Sequence, residues 1–145
     1  MHLLARFHQL AVKRGLTPGA LMDASPQDFD LLLVAVMNEF SVERVYTERD
    51  VNDVLRRWLD TTGSMLEVDH VELRRWLVDL QVLARDTFGR AYTLAPVPPR
   101  LAALAASLSG VDFACEFAEA GRHEAERRAA RKAAWMQAKA DAVHK

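Results

Sequence analysis

Cysteine is almost absent from this chain of 145 residues, and its single thiol is Cys115. One cysteine cannot form an internal disulfide, and this usage favours a reducing compartment. The sequence also lacks an apolar run of the roughly 18–20 residues that a membrane span needs. Its first residues lack the long apolar region of a secretory signal. These absences predict a cytoplasmic protein without a membrane span.

A strong charge of one sign is also missing, since the net charge is only −1. No global electrostatic field therefore draws the protein onto nucleic acid. Half of the residues are hydrophobic and 27% are charged, which is typical of a globular domain. The charge is nevertheless uneven. From Arg122 onward there are seven Lys or Arg against three Asp or Glu, whereas the remainder has 12 and 17. An acidic body with a basic tail favours self-association or an anionic partner.

Residues 45–94 have the pattern of a winged helix. Val45-Tyr46 is a short β segment, and Thr47 and Asp69 are each positioned to cap a helix. Apolar residues recur at helical spacing in both helices, namely Val51, Val54, Leu55, Trp58 and Leu59, then Leu73, Trp76, Leu77 and Leu80. Residues 82–85 and 91–94 then predict a hairpin, the wing, because the turn between them contains Gly89. We expect Trp58 and Trp76 to share one hydrophobic nucleus beneath this hairpin.

Helical segments precede this pattern. Residues 2–14 have amphipathic spacing, a brief helix runs from Pro18 through Met22, and a longer one begins at Pro26. Residues 29–40 of the longer helix are apolar on more than one side, which predicts packing against two neighbours. The predicted domains are an N-terminal helical segment, a winged-helix domain and a C-terminal helical extension, at residues 1–24, 25–94 and 95–145.

The C-terminal extension begins after a proline-rich break at residues 96–99. Apolar residues then follow alternating three- and four-residue steps, at Leu101, Leu104, Leu108, Val111, Cys115 and Ala118. Such a seam is typical of a coiled coil, although it covers only about two and a half heptads. We predict a homodimer built from Leu101, Leu104, Leu108 and Val111, to which residues 29–40 could contribute.

Beyond Gly121 the sequence is Ala-rich and basic, and it includes Trp135. Basic residues around an aromatic residue are typical of a nucleic-acid arm, a membrane-surface helix or a partner helix. The interpretation we favour is a solvated helix whose alanine stripe packs on the domain or on a second copy.

Several short blocks within residues 25–94 follow in a characteristic order. They are Tyr46-Thr47-Glu48 leading into Val51-Asn52, Leu73-Arg74-Arg75 leading into Leu77-Val78-Asp79, and Arg85-Asp86 with Gly89 leading into Tyr92. With these blocks the chain resembles a bacterial family known only as domain of unknown function 2087. The resemblance implies a winged-helix module and, because some members adjoin regulator-type helix-turn-helix domains, a regulatory role. No catalytic or binding residues are established for the family, so none is carried over.

Four arginines are candidates for DNA contact: Arg74, Arg75, Arg85 and Arg90. The last helix of a winged helix enters the major groove and its wing meets the backbone or minor groove, where arginine suits guanine edges and phosphates. Arg75 lies within one helical turn of Glu72 and Asp79, so an ion-pair face is the favoured interpretation there. We expect Arg74 to be freer. For Arg85 and Arg90, phosphate contact and a cross-strand pair with Asp86 or Glu72 are equally open.

Catalysis has little support in the sequence. No pair of histidines shows metal-ligand spacing with a cysteine, and no phosphate-binding loop or nucleophile elbow is present. The group Glu67, Asp69, His70 and Glu72 spans a loop-to-helix junction that would scatter the side chains. Cys115 lies on the apolar seam and is expected to be a buried small hydrophobe. We predict no enzyme activity, no cofactor and no metal.

The favoured function is a cytoplasmic, dimeric, regulator-type winged-helix module that binds double-stranded DNA or belongs to a transcription-related assembly. The alternative is a protein-protein interaction module that keeps the winged-helix scaffold without nucleic-acid affinity. A small-ligand sensor, with a pocket between the first helices and the domain, is a third option.

Overall fold

A computed structural model describes residues 2–143 and shows a mainly helical protein with one small sheet. The elements in chain order are α1 Leu3–Ala11, α2 Pro18–Ala24, α3 Pro26–Met37, α4 Glu48–Asp60, α5 His70–Asp79, β1 Leu83–Arg85, β2 Tyr92–Leu94, α6 Pro99–Ser107 and α7 Phe113–Val143. Within residues 2–143, seven helices and one two-stranded hairpin confirm the predicted mainly α class with a small β element. None of the described helices is long and apolar enough to cross a membrane.

Local chemistry explains where several helices begin. Pro18, Pro26 and Pro99 occupy the first helical position, where the missing N–H removes no intrahelical hydrogen bond. At α4, the Thr47 hydroxyl accepts from the Asp50 N–H and the Asp50 carboxylate accepts from the Thr47 N–H, both at 3.1 Å. This is a reciprocal capping box, and it fixes the direction in which α4 leaves the preceding loop.

Helix α3 is the centre of the core. Every residue from Leu31 to Met37 is buried, and α3 contacts α1, α2 and α6. The prediction of more than one packing neighbour is therefore confirmed, with α1 as one of them. Around α3 the buried residues form one continuous core that includes Phe7, Trp58 and Leu101.

The two tryptophans of the central region lie in the same part of this core. Trp58 of α4 and Trp76 of α5 line one small apolar cavity, and the Trp76 ring meets Phe29 edge-on at 5.6 Å between centroids. Gly63 packs directly on the Trp58 indole, so that a Cβ at this position would overlap the six-membered ring. The two indoles therefore share one nucleus as expected, although Trp76 is only partly buried and the small cavity between them is lined by helices and by Leu66 rather than by the hairpin.

The hairpin forms as predicted, with both strands slightly shorter. β1 and β2 pair antiparallel, with Leu83 opposite Leu94 and Arg85 opposite Tyr92. Tyr46 adds a bridge to β2, because its N–H and carbonyl each bond to Tyr92 at 2.8 Å. Gly89 has φ = 67° in the turn, a conformation that glycine adopts without steric cost.

The predicted continuous seam in the C-terminal extension is wrong. α6 ends at Ser107, Gly110 takes φ = 78°, and α7 begins at Phe113, so the six seam residues do not share one helix face. Leu101 and Leu108 are buried in the chain's own core, whereas Leu104 and Val111 remain partly exposed. The periodicity therefore reflects two short packing contacts within the molecule rather than a heptad repeat.

Two other expectations about this extension are corrected. Cys115 is exposed rather than buried, and its thiol lies 3.1 Å from an Asp112 carboxylate oxygen. None of the described residues of α7 from Gly121 to Val143 is buried, so this half does not pack its alanine stripe on the rest of the chain. We call residues 121–143 the projecting half of α7.

The three predicted segments are packed together. α1 contacts both α3 and α7, and α3 contacts α6. Leu16, before α2, forms a parallel bridge with Leu66 in the connection between α4 and α5. The helices flanking the central region therefore share its core and do not form cores of their own.

Candidate nucleic-acid interface

A groove runs between α5 and the hairpin. It has a volume of about 280 Å³, and its walls are mostly polar side chains. Its lining residues are Arg74, Arg75, Val78, Asp79, Arg85 and Tyr92. Three of the four arginines singled out in the sequence are thus brought to one place, although they come from two elements.

Arg74 is held by α4, contrary to the expectation that it is freer than Arg75. Its guanidinium lies 3.0 Å from a Glu48 carboxylate oxygen and donates to the side-chain oxygen of Asn52. Only 14% of its side chain is exposed. Arg74 therefore joins α4 to α5, and its charge is largely neutralised before any ligand arrives.

Arg75 is the exposed arginine of α5. In the part of the chain that the structure describes, no carboxylate oxygen lies within 4.0 Å of its guanidinium. The favoured ion pairs with Glu72 and Asp79 are therefore not formed. Asp79 nevertheless lines the same groove, so a polyanion bound there would meet one negative charge as well as the arginines.

Arg85 and Arg90 belong to the two sides of the hairpin turn. Neither forms a cross-strand ion pair with Asp86 or Glu72 among residues 2–143. Both are exposed, and the Arg90 guanidinium lies 5.7 Å from the centre of the Phe88 ring. The cross-strand pair is therefore not formed, and both charges remain available for a ligand.

Asp86 shapes the turn instead of pairing with an arginine side chain. Its carboxylate accepts the backbone N–H of Arg90 at 2.8 Å, and this hydrogen bond holds the pKa of Asp86 below its usual value. Its backbone N–H donates to the Ala91 carbonyl at 2.9 Å. The turn is therefore closed by backbone contacts, and they present Phe88 and Arg90 at its tip.

Three residues of this surface were missed in the sequence. Glu48 and Asn52 anchor Arg74 across a separation of 22 or more residues, which no local pattern reports. Phe88 is 79% exposed at the hairpin tip. An aromatic residue inside a turn, next to glycine, was the available signal for Phe88.

Glu67, Asp69, His70 and Glu72, which span the junction before α5, do not converge on one point. Among the described residues, none of these four side chains belongs to a cluster of three potential metal ligands. Asp69 instead caps α5 by accepting the Glu72 N–H at 2.8 Å, and His70 Nε2 lies 3.2 Å from the Arg56 guanidinium. This junction is part of the helix start.

The surface just described lies within a conserved bacterial sequence unit. The chain belongs to the family described as an uncharacterized protein conserved in bacteria, domain of unknown function 2087, whose profile matches residues 22–94, about half of the chain. This confirms the family resemblance, and the matched range begins three residues before the expected boundary. Comparisons with curated proteins and with solved structures gave no match.

Proposed function

We propose that this protein is a non-catalytic winged-helix module of the cytoplasm that binds double-stranded DNA through α5 and the hairpin. The observation that carries the proposal is the position of Arg75 and Arg85 on one groove, with no carboxylate of the described chain within 4.0 Å of either. Arginine side chains left unpaired in this way can contact phosphates without first breaking an ion pair.

The order of elements supports the same proposal. α4 and α5 are consecutive packed helices, and the antiparallel hairpin follows α5 directly. The backbone bridge between Tyr46 and Tyr92 ties the segment before α4 to the hairpin. In such an arrangement α5 would lie in the major groove of the DNA, while Arg85 and Arg90 would reach the phosphates of the DNA backbone.

The projecting half of α7 supplies a second basic surface. Between residues 122 and 143 there are six Lys or Arg and three Asp or Glu. Glu124 contacts Arg127, Arg128 and Arg131, and the hydrogen bond from Arg127 is the main reason that the pKa of Glu124 is lowered. Arg122 and Lys132 form no such pair in the described chain and would add sequence-independent attraction.

A salt titration with random duplex DNA tests the proposal. We expect binding at low salt, with an affinity that falls steeply as salt rises, and Arg85→Ala should reduce the slope of log affinity against log salt by about one phosphate contact. Arg14→Ala is the control, because it removes the same charge from the loop after α1, where the guanidinium bonds backbone carbonyls. Absence of binding at low salt would contradict the proposal.

A protein partner is the second candidate, and the tip of the hairpin favours it. Phe88 offers a large exposed apolar ring, and Asp79 beside Arg75 gives the groove mixed charge. Aromatic residues and arginine are enriched at protein interfaces, and the rim of an interface is polar. If random duplex DNA does not bind at low salt, a protein-protein interaction module would be the better explanation of the same surface.

We also propose a homodimer, now through Leu104 and Val111 rather than through the whole seam. These two side chains line an apolar groove of about 750 Å³ with Leu3 and Leu4 of α1. Leu104→Glu should lower the mass measured by analytical ultracentrifugation to that of a monomer. Ala102→Glu, at a fully exposed position of α6, is the control for added charge, and an unchanged mass for Leu104→Glu would remove the dimer proposal.

A further inference from the structure

Two histidines and two glutamates meet where α1 packs on α7. His8 comes from α1, and Glu116, Glu119 and His123 come from α7. His8 Nε2 lies 2.9 Å from Glu116 Oε2, and His123 Nε2 lies 3.8 Å from Glu119 Oε1. The two imidazole rings are 6.0 Å apart between centroids. This group lies outside the groove of the proposed function.

The three residues of α7 share one face of the helix, because they are spaced by three and four positions. In the same contact between α1 and α7, the Phe7 and Phe113 rings pack edge-on at 5.1 Å, and both residues are buried. This contact fixes α1 against the first turns of α7. The four polar side chains are thus presented by a rigid pair of helices rather than by loops.

The spacing of the donor atoms is close to that of a metal site. One donor atom from each of His8, Glu116 and Glu119 lies within 4.8 Å of the others. Donors around tetrahedral Zn²⁺ lie at about 2.0–2.2 Å from the ion and so about 3.4 Å from each other. Small side-chain rotations would close that difference. His123 lies outside this group of three, but its Nε2 is 3.8 Å from Glu119 Oε1, so a rotation of its side chain would bring in the fourth donor.

We propose that His8, Glu116, Glu119 and His123 bind Zn²⁺ and that the ion joins α1 to α7. Two neutral imidazoles and two carboxylates match the nitrogen and oxygen ligands that Zn²⁺ accepts, and their two negative charges balance the ion. An ion pair between His8 and Glu116 alone would need neither Glu119 nor His123. Because His8 and Glu116 are 108 positions apart, bound metal would strengthen the contact between α1 and the first turns of α7.

The test uses the full untagged chain after treatment with a chelator. Calorimetric titration with ZnCl₂ should give one ion per chain, and the midpoint of thermal unfolding should rise with Zn²⁺ concentration. Co²⁺ in place of Zn²⁺ should give the intense visible absorption of a four-coordinate site. Weak absorption typical of six-coordinate Co²⁺, or no saturable binding, would overturn the proposal.

Variants distinguish the site from adventitious binding by surface histidine. Glu119→Gln removes one ligand but keeps the hydrogen bond between His8 and Glu116, so we expect it to fold and to bind Zn²⁺ at least about tenfold more weakly. His123→Gln should do the same. His70→Gln, at the start of α5, is the control and should bind as the parent does. Equal binding by Glu119→Gln, His123→Gln and the parent would refute the assignment.

Discussion

In residues 3–120 every helix places at least one side chain in the common core, whereas the projecting half of α7 buries none. The first region depends on tertiary packing, and α3 is its extreme case. The second depends on alanine-rich helix propensity and on local pairs such as Glu124 with Arg127. Isolated helices of this kind are marginal in water, so the two regions should respond differently to the same kind of substitution.

The largest expected difference is between two glycines. Gly63→Ala forces a Cβ into the buried Trp58 ring, and we expect it to lower the free energy of unfolding by about 3 kcal/mol, the upper end of the range for overpacking. Gly121→Ala is the matched change in α7, where nothing lies within 4 Å of the added Cβ. Its effect should lie between no change and a gain of about 1 kcal/mol.

Urea unfolding followed by circular dichroism measures both glycine variants. Equal midpoints for Gly63→Ala and the parent would show that the loop after α4 moves to admit the methyl group. In that case the contact between Gly63 and Trp58 would not be a fixed part of the core.

A second comparison concerns a buried and an exposed aspartate. Asp28 is buried, and Arg6 donates to its carboxylate through Nε at 2.7 Å and through a second guanidinium nitrogen. This hydrogen bonding lowers the pKa of Asp28. Because the folded pKa lies below the unfolded one, the pair stabilises the protein above about pH 4, and that stabilisation is lost as pH falls through the folded pKa.

Asp28→Asn should therefore lower the free energy of unfolding by about 1–2 kcal/mol at pH 7, since a charged hydrogen bond is lost next to a partly exposed arginine. The deficit should shrink as the parent is titrated below about pH 4. Asp141→Asn, in the projecting half of α7, should change stability by less than about 0.5 kcal/mol at either pH. A deficit for Asp28→Asn that is independent of pH would mean that packing, not charge, sets its effect.

The comparison also shows what the sequence could predict. Helix starts were visible because Pro18, Pro26 and Thr47 act through neighbouring backbone groups, and the hairpin was visible because Gly89 supplies the required turn conformation. Such signals are local. The break between α6 and α7 was hidden by an apolar spacing that continues through it, since periodicity does not report whether one helix or two carry the pattern.

Contacts between distant residues account for most of what was missed. Arg74 forms an ion pair with Glu48 and a hydrogen bond with Asn52, both of α4, and His8 meets Glu116 across 108 residues. Neither pairing follows from spacing along one element. The arginines of α5 could therefore be identified as candidates from the sequence. Whether each of them is already paired with a carboxylate depends on the packing of α4 against α5.

The smallest expected effect tests the independence of the projecting half. Ala130→Pro removes a helical hydrogen bond and clashes with the preceding turn, which costs about 3 kcal/mol in a helix interior. Because Ala130 and its neighbours are exposed, that cost should be met by local unfolding rather than by the core. We expect less helical signal at 222 nm and a change below about 0.5 kcal/mol in the unfolding of residues 3–120, with Ala130→Ser as the control. A larger shift that grows with protein concentration would mean that this helix packs on a second copy, as we expected from its alanine stripe.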